Sequence, residues 1–312
     1  VAYDTRVNEL NQLIDAALAL KPKSAGVLKE WQQTYKEPQA NKLVSIKLGS
    51  ALADEIKSST GALNNETISK GKLKGEIKSS AGELATILQK IYARRDLFIK
   101  KSVWCLGGDG WAYDIGYGGL DHVLARGEDI NILVLDTEVY SNTGGQASKA
   151  TPTGSVAKFA NAGKKTAKKS LALMAMNYPN VYVAQIAMGA NMNQTLQALR
   201  EAEAHKGPSI VIAYATCIEH GIDMSKGNEE MKKAVACGYW NLFRYNPELV
   251  KNGKPALILD SPVISGDYKE FVKAERRYAN LFKTNPTEAE ALLEQAKLDS
   301  ESLLAKLKKL SQ

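Results

Sequence analysis

The sequence offers little that would take it into a membrane or through a secretory route. No stretch approaches the roughly 20 consecutive apolar residues that span a bilayer, and the N-terminus lacks the charged-then-apolar pattern of a signal peptide. Cysteine is scarce: Cys105, Cys217 and Cys237 are odd in number and far apart, which argues against a disulfide framework. Aromatic residues make up 7%, so the apolar mass is mostly aliphatic. Neither an internal repeat nor a low-complexity tract interrupts the chain. The Lys-Ser/Thr end of a P-loop is missing, and so is the Gly-x-Gly-x-x-Gly of a dinucleotide site. These absences lead to the expectation of a soluble, intracellular protein, cytoplasmic unless it resides in an organelle. The Asn65-Glu66-Thr67 triplet has no meaning as a glycosylation site in such a chain.

What remains is globular in character. With 312 residues, 44% hydrophobic and 24% charged, the chain has length for one large or two modest domains. The net charge of +7 is spread out, and its densest run, Lys164 to Lys169, lacks the aromatic or glycine interleaving of single-strand binders. Nucleic-acid binding is therefore not expected, and the run reads as a solvated face. The chain starts at Val1 and runs straight into helix-like sequence, as a piece of a longer protein would.

Residues 1 to 100 read as a helical segment packed on the rest. Asp4 can cap a helix with an apolar face of Val7, Leu10, Ile14, Ala17 and Leu20. Val27, Leu28, Trp31 and Tyr35 mark a second face, and Leu43, Ile46 and Leu52 a third. Residues 58 to 72 read as a loop, followed by a helix burying Leu73, Ile77, Leu84, Ile87, Leu88 and Ile91.

From residue 101 to 312 the pattern is that of an α/β domain with a C-terminal helical extension. Short apolar runs alternate with helical ones, as in a mostly parallel sheet flanked by helices. The strands fall at Val103 to Leu106, Ile130 to Leu135, Val181 to Ile186 and Ser209 to Tyr214. Their unbroken apolar character predicts cover on both faces. Helices are expected near 114–126, 165–177, 192–206 and 228–240. Thr287 and Glu290, at capping-box spacing, open a last helix through Leu293, Leu303, Leu307 and Leu310.

Two clusters sit where strands end. Ligands of parallel sheets bind beyond the carboxyl ends of strands, where free N–H groups meet an anion. Gly107-Gly108-Asp109-Gly110 lets backbone approach a phosphate and adds the hard oxygen that Mg²⁺ prefers. After the next strand, Asp136 leads into Thr137-Glu138-Val139-Tyr140-Ser141-Asn142, with a hydroxyl and free carbonyls. If the strands are neighbours, the two loops share one crevice, and a Mg²⁺-bridged diphosphate fits it. Cys105 and Cys237 read as core thiols, His122 as a surface or interhelical polar group, His205 as a helix-end cation and His220 as close to the crevice without a catalytic role. Tyr113, Asp114 and Tyr140 flank it, either as functional groups or as caps and packing.

Residues 107–124, 136–146 and 149–154 (Gly-Gly-Asp-Gly-Trp-Ala-Tyr-Asp, Asp-Thr-Glu-Val-Tyr-Ser-Asn-Thr-Gly-Gly-Gln, Lys-Ala-Thr-Pro-Thr-Gly) resemble the C-terminal thiamine-diphosphate-binding domain of pyruvate:ferredoxin (flavodoxin) oxidoreductases. The resemblance is dense from about 100 to 245. It implies oxidation of pyruvate with coenzyme A to acetyl-CoA and CO2, in anaerobic metabolism, with electron transport through iron–sulfur clusters to ferredoxin or flavodoxin. It also implies a homodimer once the remaining domains are joined, in the cytoplasm or an anaerobic energy organelle. By the same likeness Asp109, Thr137 and the Val139 carbonyl would hold magnesium. Gly108, Gly110 and Trp111 would surround the diphosphate, and Asn142 would bind cofactor and act at the reacting centre. Cys217 would be one of four [4Fe-4S] ligands, the other three lying upstream of this domain. The glutamate that activates the cofactor comes from another domain in this family, so the isolated chain is expected to bind the cofactor weakly and turn over little or not at all. Two alternatives stay open: an oxidoreductase of another 2-oxoacid, and a non-enzymatic module derived from this domain.

Overall fold

The computed structural model describes residues 2–70 and 80–312. It divides into two compact units, one ending at Lys101 and the other beginning at Ser102. Among the described residues no helix is long and apolar enough to cross a membrane.

The first unit is helical: α1 (Ala2–Ala19), α2 (Ala25–Thr34), α3 (Pro38–Lys70) and α4 (Ser80–Ala93). Its core joins Leu10, Ile14, Leu28, Trp31, Leu48, Leu52, Leu88 and Ile91. Asp4 lies within the first turn of α1 rather than capping it. The buried face of α3 is Val44, Leu48 and Leu52, an i, i+4 stripe, while Leu43 and Ile46 point outward. The stripe also carries Asn41 and Ser45, whose side chains join the Trp31 indole in donating to the Phe98 carbonyl. Those polar members hid the true face. The expected loop at 58–72 is helical as far as Lys70, and positions 71 and 72, with Leu73 and Ile77, lie outside the described residues. No proline follows Pro38 in α3 to remove a ladder N–H, so serine, threonine and asparagine only weaken the helix.

The second unit is built on a six-stranded sheet: β1 (Trp104–Gly108), β2 (Asn131–Asp136), β3 (Tyr182–Ile186), β4 (Ser209–Tyr214), β5 (Phe243–Tyr245) and β6 (Leu257–Leu259), in the order β1-β2-β4-β3-β5-β6. The first four strands are parallel, and β5 and β6 extend the sheet antiparallel. Around it lie α5 (Tyr117–Arg126), α6 (Leu171–Ala175), α7 (Met192–Ala204), α8 (Gly227–Ala236), α9 (Tyr268–Ala274), α10 (Arg276–Thr284) and α11 (Pro286–Leu310). Ile132, Val134, Val183, Ile210 and Ile212 face one layer of helices, and Tyr182, Ala184, Ile186 and Val211 face α7. On that second face Trp104 and Leu133 pack against the α7 layer, while Leu106 and Leu135 stay 63% and 44% exposed, so the β1–β2 half is only partly covered there. A continuous apolar run did not guarantee two-sided burial.

Several boundaries moved for local reasons. The helix expected at 165–177 shrinks to α6, because Lys168 is drawn inward to buried carboxylates and Ser170 caps the remainder. The one expected to 240 stops at Ala236, where left-handed Gly238 ends it. Asn285, not Thr287, caps α11, with Pro286 at the first helical position. Helix α7 starts on Asn191, whose side chain accepts the Gln194 N–H at 3.0 Å. Replacing Asn191 by alanine is expected to cost about 1 kcal/mol, measurable as a shift in urea midpoint at unchanged slope.

Candidate metal and cofactor site

Strands β1 and β2 are parallel neighbours, with Gly108 opposite Leu135, so the loops after them open side by side. Past β1 the chain makes one wide π-helical turn, Gly110–Ile115, closed by Gly116 N–H to Trp111 O at 2.8 Å. Asp109 sits at its start without capping it, which leaves the carboxylate free to turn toward the β2 loop. It is 2% exposed, and burial pushes its carboxyl above the ordinary value against the pull of Ser148, Thr137 and Lys168.

Asp109 Oδ1 lies 2.8 Å from Thr137 Oγ1, which is also 3.0 Å from the Val139 carbonyl and 2.8 Å from Ser141 Oγ. The Thr137 hydroxyl has one proton, yet both Asp109 Oδ1 and Val139 O are pure acceptors when the carboxylate is ionised. One of these close contacts is therefore between lone pairs, and a cation would relieve it. An octahedral ion with bonds of 2.0–2.1 Å has neighbouring ligands about 2.9 Å apart, matching the observed spacing. Among the described residues no group of three His, Cys, Asp or Glu is placed to hold a metal ion. The donors here are instead one carboxylate, one hydroxyl and one carbonyl. That set suits Mg²⁺ with phosphate oxygens and water completing the shell.

Beneath the β2 loop runs a buried ionic network. Lys168 Nζ bridges Asp136 Oδ2 at 2.8 Å and Glu138 Oε1 at 2.9 Å. Arg277 of α10 binds Glu138 Oε2 at 2.8 Å and Glu275 Oε2 at 2.7 Å. Tyr239 donates to Glu138 and Tyr113 to Asp136. Burial raises Asp136 to about 6 despite Lys168. At Glu138 burial would do the same, but Lys168 and Arg277 outweigh it and hold the carboxyl near about 2. The clamp matters because Glu138 has φ +61, a left-handed backbone that costs a non-glycine residue of order 1 kcal/mol or more. That twist between Thr137 and Val139 brings the hydroxyl and the carbonyl to the same side. His220, fully buried and driven down to about 3 by burial, is neutral, and its Nε2 donates to the Thr137 carbonyl at 2.8 Å.

Of the residues named from sequence, Asp109, Thr137 and Val139 converge. Asn142 lies on the exposed turn beyond them, without a side-chain hydrogen bond among the described residues. Gly108 is open, whereas a Cβ on Gly110 would strike the Tyr140 ring at 2.4 Å, and one on Gly107 the Trp111 ring at 2.3 Å. Those two glycines make room for aromatic rings, so of the three only Gly108 leaves its backbone clear. Cys217 is buried, and its Sγ reaches Ser141 Oγ at 3.2 Å, one hydroxyl away from Thr137. Cys237, whose thiol burial pushes to about 11, sits in the core as expected. The reading of Lys164 to Lys169 as a solvated face fails at Lys168, and at Lys164, whose ammonium binds the Thr151 carbonyl at 2.7 Å. Sequence reasoning missed Ser148, Glu138, Lys168 and Arg277 as supports of the site. Glu138 stood inside the singled-out 136–146 segment without a role, and Lys149-Ala-Thr-Pro-Thr-Gly lay beside Ser148; Lys168 and Arg277 carried no signal.

A mostly parallel sheet with a carboxylate, a hydroxyl and a carbonyl oxygen gathered beyond β1 and β2 is the arrangement in which an α/β domain can take a diphosphate. Residues 87–213 match the family described as "Thiamine pyrophosphate enzyme, C-terminal TPP binding domain". The chain is 54% identical over 243 residues to pyruvate:ferredoxin oxidoreductase of Moorella thermoacetica, covering 78% of this chain and 21% of that protein. It is 54% identical over 227 residues to the pyruvate-flavodoxin oxidoreductase of Klebsiella pneumoniae, covering 72% and 19%. Pyruvate dehydrogenase [NADP(+)] of Cryptosporidium parvum is 44% identical over 280 residues, 86% of this chain and 14% of that protein. The chain thus spans about a fifth or less of the length of these relatives.

Proposed function

We propose that the chain is the thiamine-diphosphate- and magnesium-binding part of a pyruvate oxidoreductase that forms acetyl-CoA from pyruvate and coenzyme A. The observation that carries this reading is the proton-deficient cluster of Asp109 Oδ1, Thr137 Oγ1 and Val139 O beyond two neighbouring parallel strands. Asp109, Thr137 and Val139 hold the metal, and Gly108 admits the diphosphate. Thiamine diphosphate, when bound, supplies the electron sink for cleavage of the bond to the substrate carboxylate. The residues of this chain contribute position: His220 fixes the Thr137 peptide, Glu138 fixes the turn, and Asn142 stands at the mouth, where it meets substrate. Electrons leave through iron–sulfur clusters to ferredoxin or flavodoxin. The acceptor is set by the other domains, since one similar protein carries NADP(+) in its name. The whole enzyme works as a homodimer in the cytoplasm or an anaerobic energy organelle. Calorimetry of this chain with thiamine diphosphate tests the site: heat of binding is expected only when Mg²⁺ is also present, and metal-independent binding would count against the assignment.

Cys217 belongs to the same reading as one ligand of a [4Fe-4S] cluster. A cubane cluster takes four thiolates, and Cys105 and Cys237 are held elsewhere in the second unit, Cys105 in β1 and Cys237 at the end of α8. Iron–sulfur reconstitution of this chain is therefore expected to leave no stable visible absorption after desalting. A stable cubane spectrum would show that Cys217 does not depend on thiolates from other domains.

A further inference from the structure

We propose that Ser148 determines metal specificity at this site, making it prefer Mg²⁺ to Ca²⁺; the inference rests on the metal reading above. The two oxygens of Asp109 have different surroundings. Oδ1 faces Thr137, while Oδ2 accepts a hydrogen bond from Ser148 Oγ at 2.8 Å. The direction of that bond is fixed, because an ionised carboxylate only accepts, while Ser148 Oγ takes the Ala150 N–H at 3.0 Å on a lone pair. The Ser148 proton is left for Asp109, and Ser148 is 4% exposed, so water does not compete for it.

The same turn also grips the other half of the site. The Ser148 N–H donates to Thr151 Oγ1 at 2.9 Å, and the Thr151 hydroxyl donates to the Glu138 carbonyl at 2.6 Å. Ser148 to Thr151 thereby tie Asp109, at the end of β1, to the peptide between Thr137 and Val139. Neither residue has an oxygen among the three that crowd together, so both are positioning residues.

The consequence is chemical. With Oδ2 committed to Ser148, Asp109 offers a cation one oxygen. A single carboxylate oxygen in an octahedral shell suits Mg²⁺, whereas Ca²⁺ takes six to eight oxygens and readily uses a carboxylate through both. Removing the Ser148 hydroxyl frees Oδ2, which helps Ca²⁺ and loosens the aim that Mg²⁺ needs.

The test is Ser148→Ala in the 312-residue chain, with thiamine diphosphate affinity titrated in Mg²⁺ and in Ca²⁺ and melting followed without metal. Mg²⁺-dependent affinity is expected to fall about tenfold, within the range for residues supporting metal ligands. Ca²⁺-dependent affinity should hold or rise, and the metal-free melting temperature should change little. An equal fall in both metals, or no change in their ratio, overturns the specificity role while leaving the Asp109 site intact. Absence of metal-dependent binding in the unaltered chain overturns the site and this inference together.

Discussion

Arg277→Leu is expected to destabilise the second unit by about 3–5 kcal/mol at neutral pH, the range for breaking a buried ion pair from one side. Arg277 is 5% exposed and serves Glu138, Glu275 and the Tyr239 hydroxyl at once. Leucine fills much of its volume but leaves two carboxylates facing each other in the core, with Lys168 alone to offset them. For a unit of this size the loss is on the order of 10 °C in melting temperature. The pH dependence follows from the direction of each shift. Glu138 is depressed to about 2, so its contribution is complete above the ordinary carboxylate range and is lost as pH falls toward about 2. Glu275 is raised to about 7 by burial against the opposing pull of Arg277, so its ionisation costs stability as pH climbs through that value. Without Arg277 both carboxyls hold protons more tightly. The variant should therefore be worst near pH 8 and recover part of the loss near pH 5.5. Thermal melts at the two pH values check this, and an equal loss at both would mean that packing, not charge, is what Arg277 provides.

That residue also marks where sequence reading stops. Strands β2 to β4 were legible because each is rich in β-branched and aliphatic residues and β1 because an apolar run ends in glycines, and their order along the chain predicted a parallel sheet. Strands β5 and β6 are three residues each, too short to show a period, and Arg244 in the middle of β5 reads as a surface residue. In the fold its guanidinium is paired with Glu201 and Asp260. Asp109 and Thr137 were legible because strand ends are where ligands bind, and only two local segments had to be compared. Their supports were not. Lys168 meets Glu138 across 30 residues and Arg277 meets it across 139, and a lone lysine or arginine in a polar stretch looks the same whether it is solvated or buried. The positive φ at Glu138 has no local signature either, since asparagine or glycine would be the expected residue there. Its clamped carboxylate, visible only in three dimensions, is what supports that backbone.

Asp109→Asn should separate stability from binding with opposite signs. In the metal-free chain the Asp109 carboxylate is buried and faces the Thr137 and Val139 oxygens with one proton too few, and burial lifts its carboxyl above the ordinary value. Its ionised form therefore works against folding at neutral pH, and a neutral amide of the same shape removes that cost. The metal-free variant is expected to melt at the same temperature as the parent or higher. With Mg²⁺ and thiamine diphosphate the order reverses. Residues that merely support a metal ligand change affinity by about 10–100-fold, so loss of the charged ligand itself should weaken Mg²⁺-dependent binding by at least about a hundredfold. By mass action, ligand at a hundred times the parent's Kd stabilises the parent by about 2.7 kcal/mol and the variant by a few tenths. Paired melts with and without ligand read both effects in one experiment. A variant that loses stability without metal, or keeps the ligand-induced rise, would show Asp109 to be a structural carboxylate rather than a metal ligand. The predicted crossing of the two curves requires the same side chain to be a burden in the empty site and the anchor in the filled one.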